Sequence, residues 1–294
     1  MKEEGQGGRY TNAEAGWVDA RGAMEWLRER VEGTGRVKFV VGRVVRLAFA
    51  GDTVRGAQLE SGDILEADVT ILAAGAWSPS LLDLADRVRA SGQVLAYIAV
   101  EGAEREEVVR KGCVMDVGSW IFSTPPPPSG PGFLKIGRHG HGYTNPTTIP
   151  HPESPSQTLS VSLPHTSPHT PHASTPIPAE AHHELRAFLA QAYPSLADRK
   201  WSFTRLCWYA DTPTGDFLVD WHPRYAGLFV ATGGSGHGFK FLPVLGRAVV
   251  DCMRGEGGEV GEVWRWREEA VPGVWEHEGE RGGVSGMVLG EEMG

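Results

Sequence analysis

The stretch from Arg205 to Lys240 constrains the fold most, because it joins strand-like runs to a glycine-rich turn that precedes a helix. Its first run, residues 205–209, reads Arg-Leu-Cys-Trp-Tyr, and further apolar runs follow at 216–219 and 227–230. The turn at 233–240 reads Gly-Gly-Ser-Gly-His-Gly-Phe-Lys. Backbone N–H groups at a helix N-terminus point outward and carry partial positive charge, so an anionic group is stabilised there. We therefore expect a large planar cofactor to lie against this backbone.

Length and composition indicate a soluble globular protein. With 294 residues, 40% hydrophobic and 22% charged, the chain can bury a sizeable core as one large domain or two ordinary ones. The net charge of −9 argues against a nucleic-acid partner, because phosphate contacts need clustered Lys and Arg. No apolar run approaches the roughly 18–20 residues of a membrane span, so no membrane partner is expected. Three scattered cysteines, a polar N-terminus and a C-terminus without a peroxisomal tripeptide predict an intracellular, cytoplasmic protein.

The first third of the chain is predicted to contain one helix and an antiparallel meander. Asp19 is the expected N-cap of a helix through Val31. Residues 36–68 alternate strand-like runs with glycine turns, which is typical of a meander. The runs that we expect to form its strands are 37–41, 44–49, 54–59 and the beginning of 64–74.

Residues 68–75 differ from the runs before them, because they are almost continuously apolar. This pattern is typical of a strand buried on both faces. Small residues at Ala74 and Gly75 end the run and allow either close approach of a ligand to the backbone or a tight turn without one. Ser78 is the expected cap of a short helix through Leu84, with Pro79 in its first turn.

The rest of the chain is predicted to alternate strands and helices around one long loop. Residues 144–179 are rich in Pro, Ser, Thr and His, and we interpret them as a long surface loop or partly disordered excursion. Trp264 and Trp266 are expected to dock on the body of the protein, and the last twenty residues are not. The remaining predicted strands are 94–100, 120–123 and 133–136. Of the two remaining predicted helices, one begins at Pro178, and the other follows the glycine turn and ends near Met253.

Cys207 and Lys135 each allow two interpretations from sequence alone. A thiol in a strand among aromatic side chains is usually an inert small hydrophobe. Lys135, within an apolar strand, either points to solvent or is held in a cavity with a shifted pKa. His139 follows on the same face of an extended chain. The histidines after His141 could bind a metal, but no cysteine accompanies them and the segment is rich in proline, so solvated loop histidines and no metal site are expected.

Taken together, these motifs resemble the FAD-dependent amine oxidases of the monomeric sarcosine oxidase and fructosyl amino acid oxidase family, especially its fungal members. The segments that carry the likeness are 71–78, 134–139, 206–209 and 233–241, in the family's order. The cysteine strand followed by Gly-His-Gly-Phe-Lys-Phe is highly specific to this group. The glycine turn itself is not a dinucleotide fingerprint, because it lacks the G-x-G-x-x-G spacing.

The resemblance implies a role for several residues. Cys207 matches the cysteine that forms a thioether to the flavin, and Lys135 matches the lysine beside which O₂ is activated by its positive charge. Lys240 matches the lysine that binds the substrate carboxylate. The residues implied in catalysis are Lys135, His139, Tyr209 and His237, and those implied in substrate binding are Lys240, Tyr209 and His139. The residues implied in binding the FAD are Ala74, Gly75, Trp77, Cys207, Gly233, Gly234, Ser235, Gly236, His237, Gly238 and Lys240.

The chain departs from the family pattern at its start. Family members begin with a strand, a G-x-G-x-x-G turn and a helix that hold the FAD pyrophosphate, and this sequence contains no such motif. We therefore expect an N-terminally truncated FAD-binding domain, lacking the first dinucleotide-binding βαβ unit. In such a domain the strand at 68–74 has lost its parallel neighbour and leaves an unpaired apolar edge.

The expected fold is α/β (α+β), with an incomplete FAD-binding domain and a mixed-sheet substrate domain. The expected parts are residues 1–88 and 203–256 for FAD binding, 89–202 for substrate and 257–294 as a tail. One hypothesis is an oxidase that converts the C–N bond of a secondary amino acid (sarcosine, pipecolate, saccharopine or fructosyl amino acid type) to an imine, with O₂ reduced to H₂O₂. Its partners would be that small molecule and O₂, and it would be a monomer. The other hypothesis is an inactive remnant or mis-started chain that does not bind FAD.

Overall fold

The computed structural model describes residues 11–12, 14, 16–128, 132–165, 173–268 and 281–293. The helices of these residues are α1 (Ala20–Glu32), α2 (Gly102–Lys111), α3 (Ala179–Ala192), α4 (Leu242–Met253), α5 (Gly258–Trp264) and α6 (Leu289–Glu292), with 3-10 turns at Gly75–Ser80, Pro194–Leu196 and Gly238–Phe241. The strands are β1 (Val44–Ala50), β2 (Thr53–Leu59), β3 (Ile64–Glu66), β4 (Thr70–Leu72), β5 (Arg89–Ala99), β6 (Val114–Asp116), β7 (Ile121–Thr124), β8 (Phe133–Arg138), β9 (Pro146–Pro150), β10 (Thr158–Ser162), β11 (Phe203–Asp211), β12 (Leu218–Trp221) and β13 (Leu228–Thr232).

The strands form four sheets, which confirms the predicted mixture of helix and strand. The largest has five strands in the order β11-β5-β8-β7-β6, and every pairing in it is antiparallel rather than mixed. A three-stranded meander, β1-β2-β3, and a hairpin of β9 and β10 are also antiparallel. The fourth sheet, β12-β13-β4, pairs β13 with β4 in parallel.

One face of the five-stranded sheet packs on α3 and forms the main core. Alternate residues of β5 point into it, because successive side chains of a strand face opposite ways. Burying each large aliphatic side chain contributes about 1.5–3 kcal/mol, so this layer stabilises the sheet that carries the site on its other face. The core residues that belong to these two elements include Val94, Ala96, Ile98, Leu185, Phe188 and Leu189.

The predicted helix and most of the predicted meander are confirmed. The Asp19 side chain accepts a hydrogen bond from the Gly22 amide at 3.2 Å, as an N-cap should. The predicted strand at 37–41 is wrong: these residues have no ladder partner among the described residues, and Val41 is 95% exposed. A strand requires a neighbour that pairs its backbone groups, which local sequence cannot supply.

The apolar run at 68–75 is not buried on both faces. Only β4 forms a strand, and it pairs with β13 on one side, so among the described residues it lies at the edge of its sheet. Ile71 is consequently 46% exposed, and the expected exposed apolar edge is confirmed. The prediction that Ser78 caps a helix through Leu84 is wrong, because the 3-10 turn begins at Gly75 and ends at Ser80. The buried Ser78 hydroxyl instead hydrogen-bonds the Thr232 hydroxyl at 3.2 Å.

The segment 144–179 is not a long loop in its described part. β9 and β10 pair through five consecutive residues, which satisfies their backbone groups despite the proline content. The tip of this hairpin packs on another part of the molecule: the His151 imidazole lies 3.2 Å from an Asp83 carboxylate oxygen, and Glu153 accepts a hydrogen bond from the Tyr225 hydroxyl at 2.6 Å. Residues 166–172 of the predicted loop lie outside the described residues.

The C-terminal region docks further than expected. The ring centroids of Trp264 and Phe217 lie 5.0 Å apart, and the Arg87 guanidinium carbon lies 4.6 Å from the centroid of the Trp266 ring. These contacts confirm the predicted docking of both tryptophans. The prediction that the last twenty residues do not dock is wrong for 281–293, where Leu289 is buried in the main core. Within the described ranges, no helix has the length and apolar character that crossing a membrane would require.

Strand β11 begins at the predicted boundary at 202/203 and pairs with a strand on the other side of that boundary. It pairs with β5 along its whole length, from Phe203 opposite Tyr97 to Asp211 opposite Arg89. A strand assigned to the FAD-binding part is therefore an edge strand of the sheet assigned to the substrate part. The division into domains stays a prediction, but its two parts share this sheet edge.

Candidate functional site

The second face of the five-stranded sheet gathers the side chains of interest. Cys207 of β11 lies opposite Gln93 of β5, and Lys135 of β8 lies opposite Tyr97. Residues directly opposite each other share a face, and so do residues two or four apart on one strand. Lys135, Cys207 and Tyr209 therefore project from the same face, away from the core under α3.

Lys135 is half-buried on this face. Burial lowers the pKa of its ammonium below the usual range, and the neighbouring Cys207 opposes that shift. Its Nζ lies 5.6 Å from the centroid of the Phe122 ring, close enough for a cation–π contact. Of the two interpretations of Lys135, the structure favours the lysine held among packed side chains.

The Cys207 thiol reaches the surface of the sheet rather than its core. The protein atoms around it raise the pKa of the thiol, while the charge of Lys135 acts in the opposite direction. The inert core cysteine, the commoner case for such a sequence, is not what the structure shows. The thiol can be reached by a molecule lying on this face.

Tyr209 and His139 form one wall beside the cysteine. The His139 Nδ1 and the Tyr209 hydroxyl lie 3.3 Å apart, and burial raises the pKa of that hydroxyl. The backbone of Gly236 approaches the same tyrosine so closely that an added Cβ would lie 2.4 Å from its ring. Glycine at 236 thus permits both the positive φ of 75° and the contact with Tyr209.

The glycine turn is anchored to the end of β11. The Ser235 amide donates to the Ala210 carbonyl at 3.0 Å, and the Thr212 amide donates to the Ser235 hydroxyl at 3.2 Å. The His237 Nδ1 lies 3.0 Å from the Ser235 carbonyl oxygen. A 3-10 turn, Gly238–Phe241, separates the turn from α4, so the predicted helix begins after Lys240 rather than directly at the glycines.

Two predicted cofactor segments meet at one sheet edge. Gly75 follows β4 and Gly233 follows β13, and these strands are parallel neighbours, so their carboxyl ends lie side by side. The Thr232 hydroxyl donates to the Gly75 carbonyl at 3.4 Å and ties the two ends together. Ligands of α/β sheets bind at such carboxyl ends. Trp77 is partly exposed beside this edge.

Lys240 lies at the end of the 3-10 turn, exposed to solvent. Its Nζ is 5.2 Å from the centroid of the Phe241 ring. The structure thus places it beside the glycine turn, whereas Lys135 and Cys207 lie on the sheet face.

Sequence reasoning missed an ion pair in the site. Arg281 donates two hydrogen bonds to the carboxylate of Asp211, at 2.9 and 2.7 Å, and both side chains are only 5% exposed. Its guanidinium also lies 5.8 Å from the centroid of the Tyr209 ring. Arg281 stands alone among glycines and glutamates in a segment without periodicity, so the only local signal was an arginine followed by two glycines.

The open space and the chemistry of these groups fit a flavin ring. A Cβ added at Gly75 would meet nothing within 4 Å, and one added at Gly234 would meet only Gly238 at 3.9 Å. Backbone is therefore accessible to a planar ring at both carboxyl ends, and an exposed thiol lies on the neighbouring sheet face. The pyrophosphate is a different matter, because the sequence contains no G-x-G-x-x-G turn and we assign no residue to it.

The chain matches known proteins over most of its length. The profile of the family described as FAD dependent oxidoreductase matches residues 2–252. Amino acid oxidase imqH of Aspergillus flavus is 31% identical over 289 residues, which cover 86% of this chain and 59% of that protein. L-saccharopine oxidase of Schizosaccharomyces pombe is 30% identical over 270 residues, covering 88% of this chain and 60% of that protein.

A solved structure shares the fold. The deglycating enzyme fructosamine oxidase (Amadoriase II) of Aspergillus fumigatus matches with a TM-score of 0.81 and 33% identity, over 95% of this chain and 65% of that one. The chain spans 59% and 60% of the lengths of the two curated relatives above. The resemblance to fungal amine oxidases that the motifs indicated is confirmed. Since the family profile covers most of the sequence, this chain belongs to the FAD dependent oxidoreductase family.

Proposed function

We propose that this protein is an FAD-dependent oxidase of a secondary amino acid, with the FAD attached through the Cys207 thiol. The observation that carries the proposal is the position of that thiol, exposed on the same sheet face as Lys135 and Tyr209. The carboxyl ends of β4 and β13 lie side by side, and the backbone that follows them, at Gly75 and Gly234, is open to a ligand. FAD held there would supply two-electron redox chemistry, in which the amine loses two electrons and two protons to become an imine and O₂ gains two electrons and two protons to become H₂O₂.

The residues of this chain would act by position and charge. The Lys135 ammonium would stabilise the negative charge that develops on O₂ as it is reduced, an electrostatic effect strengthened by its half-buried setting. The glycine turn and His237 would supply hydrogen-bond donors beside the ring. Lys240 would hold the substrate carboxylate as a point charge.

The substrate would lie against the wall formed by His139 and Tyr209. Their 3.3 Å contact holds the two polar groups together beside the sheet face. We assign an amino acid with a substituted nitrogen as the substrate class. The relatives named for saccharopine and for fructosamine support this class without choosing between its members.

A chain that does not hold FAD by itself is the second candidate. The exposed apolar edge of β4 favours it, because no further strand pairs with this edge among the described residues to complete a parallel sheet around the cofactor. Flavin absorbance separates the two candidates. Protein that is colourless, and stays colourless with added FAD, would refute the oxidase proposal for this chain.

The covalent link is tested by acid precipitation of yellow protein. Flavin should remain in the pellet, and the Cys207→Ala variant should release it to the supernatant. Cys113→Ala is the matched control, because Cys113 is also an exposed thiol but lies next to β6, at the far edge of the sheet. Release of flavin from the unmutated protein would contradict the thioether.

The role of Lys135 is tested by separating the two half-reactions. Lys135→Met should slow reoxidation by O₂ by about 100-fold or more, because removing one well-placed electrostatic group costs roughly that factor. Flavin reduction by substrate should change far less. Equal effects on both half-reactions in stopped-flow measurements would argue against the assigned role.

A further inference from the structure

A buried series of hydrogen bonds joins the two halves of the candidate site. On the substrate side, the Gly140 amide donates to the Gln93 side-chain oxygen at 3.1 Å. The Gln93 amide group donates to the Ser91 hydroxyl at 3.1 Å, and that hydroxyl donates in turn to the Asp211 carboxylate. Gln93, Ser91 and Asp211 are all buried. This series of hydrogen bonds therefore leads from the loop that follows β8 to the end of β11.

Arg281 extends the series of hydrogen bonds to the glycine turn. Its guanidinium is held by both oxygens of Asp211 and donates a further hydrogen bond to the Ser235 carbonyl at 3.2 Å. The same carbonyl oxygen lies 3.0 Å from the His237 Nδ1. One arginine thus contacts the carboxylate at the end of β11 and the turn expected beside the flavin.

The residue after Arg281 binds the opposite side of the site. The Gly282 amide donates to the His139 carbonyl at 2.9 Å, and the His141 amide donates to the Gly282 carbonyl at 3.1 Å. Gly282 packs so closely on the backbone of Ser119 that an added Cβ would lie 2.0 Å from the Ser119 carbonyl oxygen. Residues 281–282 therefore form a two-residue bridge between the His139 loop and the glycine turn.

The position of this bridge depends on Asp211. A two-pronged arginine–carboxylate contact fixes the direction of the guanidinium as well as its place. With both side chains almost fully buried, an arginine without its carboxylate would be strongly disfavoured there. Loss of the carboxylate should therefore release Arg281 and, with it, the backbone of Gly282.

We propose that Asp211 is a positioning residue, which holds Arg281 and so sets the distance between the His139–Tyr209 wall and the Gly233–Gly238 turn. The inference rests on the proposed function, since it concerns the relative placement of substrate and flavin in that same site. Asp211 itself need touch neither. Its effect passes through Arg281, whose guanidinium also faces the Tyr209 ring at 5.8 Å.

A second ion pair on the other face of the sheet provides the matched control. Arg138 and Glu180 also form a two-pronged contact, at 2.7 and 2.9 Å, but Glu180 belongs to α3 and its side chain is 36% exposed. Asp211→Asn and Glu180→Gln each remove one carboxylate charge and keep the shape of the side chain. A general loss of stability should follow from both, whereas a loss of positioning should follow from Asp211→Asn alone.

The first measurement is amide hydrogen exchange on the purified protein, which needs no activity. In Asp211→Asn, exchange at residues 139–142 and 233–238 should rise together by about tenfold or more, as local opening of both segments becomes easier. In Glu180→Gln, exchange at residues 233–238 should stay near that of the unmutated protein, and any rise should be confined to the neighbours of Arg138, which lies against Gly140 and Gly283. A rise confined to residues 281–289 would overturn the proposal, because the bridge would then have moved without the two walls.

The second measurement uses the flavin-loaded enzyme. Asp211→Asn should lower kcat/KM by roughly 100-fold, the order expected when reacting groups are misplaced by about 1 Å. The double variant Asp211→Asn, Arg281→Gln should regain stability, because no unpaired buried charge remains, without regaining kcat/KM. Recovery of both together would show that the pair acts on stability alone and would overturn the proposal.

Two further outcomes keep the inference separate from the proposed function. If Asp211→Asn does not fold, Arg281→Lys tests the same point, because a lysine keeps the charge but cannot make the two-pronged contact. If the protein binds no flavin, the exchange experiment still decides whether the bridge couples the two segments. Flavin binding and turnover with unchanged exchange in Asp211→Asn would refute the positioning role and leave the oxidase proposal standing.

Discussion

The five-stranded sheet and the region around α1 and β4 both present apolar side chains, but these are covered very differently. In the sheet, alternate residues of β5 and β8 are buried against α3, with Leu189 fully buried. In the other region, no residue of α1 is buried by the part of the chain that the structure describes, and Met24 on its apolar face is 47% exposed. The comparison shows that an amphipathic pattern predicts which face can be buried, whereas burial itself requires a partner surface.

The candidate site draws residues from both regions. The well-packed sheet carries Lys135, Cys207 and the His139–Tyr209 wall, and its other face packs on the main core. Ala74 and Gly75, in contrast, follow an edge strand with an exposed side. We therefore expect the sheet face to be rigid and the β4 edge to be the weaker half of the cofactor site.

The largest expected effect compares two helical apolar residues. Leu189→Ala should lower the free energy of unfolding by about 2–5 kcal/mol, because it leaves a cavity in a close-packed core. Met24→Ala, its counterpart on α1, should change that free energy by less than about 0.5 kcal/mol, as exposed substitutions do. Urea denaturation of both variants measures the difference. Equal losses would show that α1 is covered in solution and would break the comparison.

A smaller effect compares two glycines with positive φ. Gly236→Ala should cost about 2–4 kcal/mol, since backbone strain adds to overlap with the Tyr209 ring. Gly51→Ala, in the turn between β1 and β2, should cost only about 1–2 kcal/mol, since the φ is similar and the added Cβ meets nothing within 4 Å. The two unfolding free energies should therefore differ by the overlap alone. Identical losses would mean that the Gly233–Gly238 turn moves away from Tyr209 in solution.

The smallest expected effect concerns the β9–β10 hairpin, whose tip contacts Tyr225. Burial, followed by the hydrogen bond to Glu153, raises the pKa of Tyr225 from 10.0 to about 12. A raised pKa means that the neutral hydroxyl stabilises the fold below pH 10, and that this contribution disappears as the pH rises towards about 12. The unfolding midpoint of the unmutated protein should therefore fall more steeply over that window than that of Tyr225→Phe. Parallel pH dependences would show that the hairpin tip does not bind Tyr225.

Local sequence was enough to predict those helices and strands that are marked by a capping residue, a side-chain period or turn residues. The Asp19 cap, the helix that follows it, and most of the strands were predictable from side-chain period and turn residues. The order of the cysteine strand and the Gly-His-Gly-Phe-Lys-Phe turn indicated the family, because this combination is highly specific. Residues 37–41 and 68–75 were predicted less well, since a strand's pairing and exposure depend on neighbours that its own sequence does not describe.

The candidate site divides in the same way. Lys135, Cys207, His139, Tyr209 and the glycine turn could be named from the sequence, since each lies in a recognisable motif. Their common face follows from the register of β11, β5 and β8, which no single motif contains. Ser91, Gln93, Asp211 and Arg281 could not be named, because the contacts that bring them into the site join segments far apart in the chain.

By itself, the sequence determined the local elements, the family and the chemical groups available to hold a flavin, because these depend on residue type and short spacing. The tertiary structure decided which of these groups face one another and which apolar surfaces stay exposed. Asp211 and Arg281 illustrate the reason, since 70 positions separate them and only folding brings the two charges into a buried contact. Pairing of backbone and of buried charge is non-local, and it is therefore settled only when the whole chain packs.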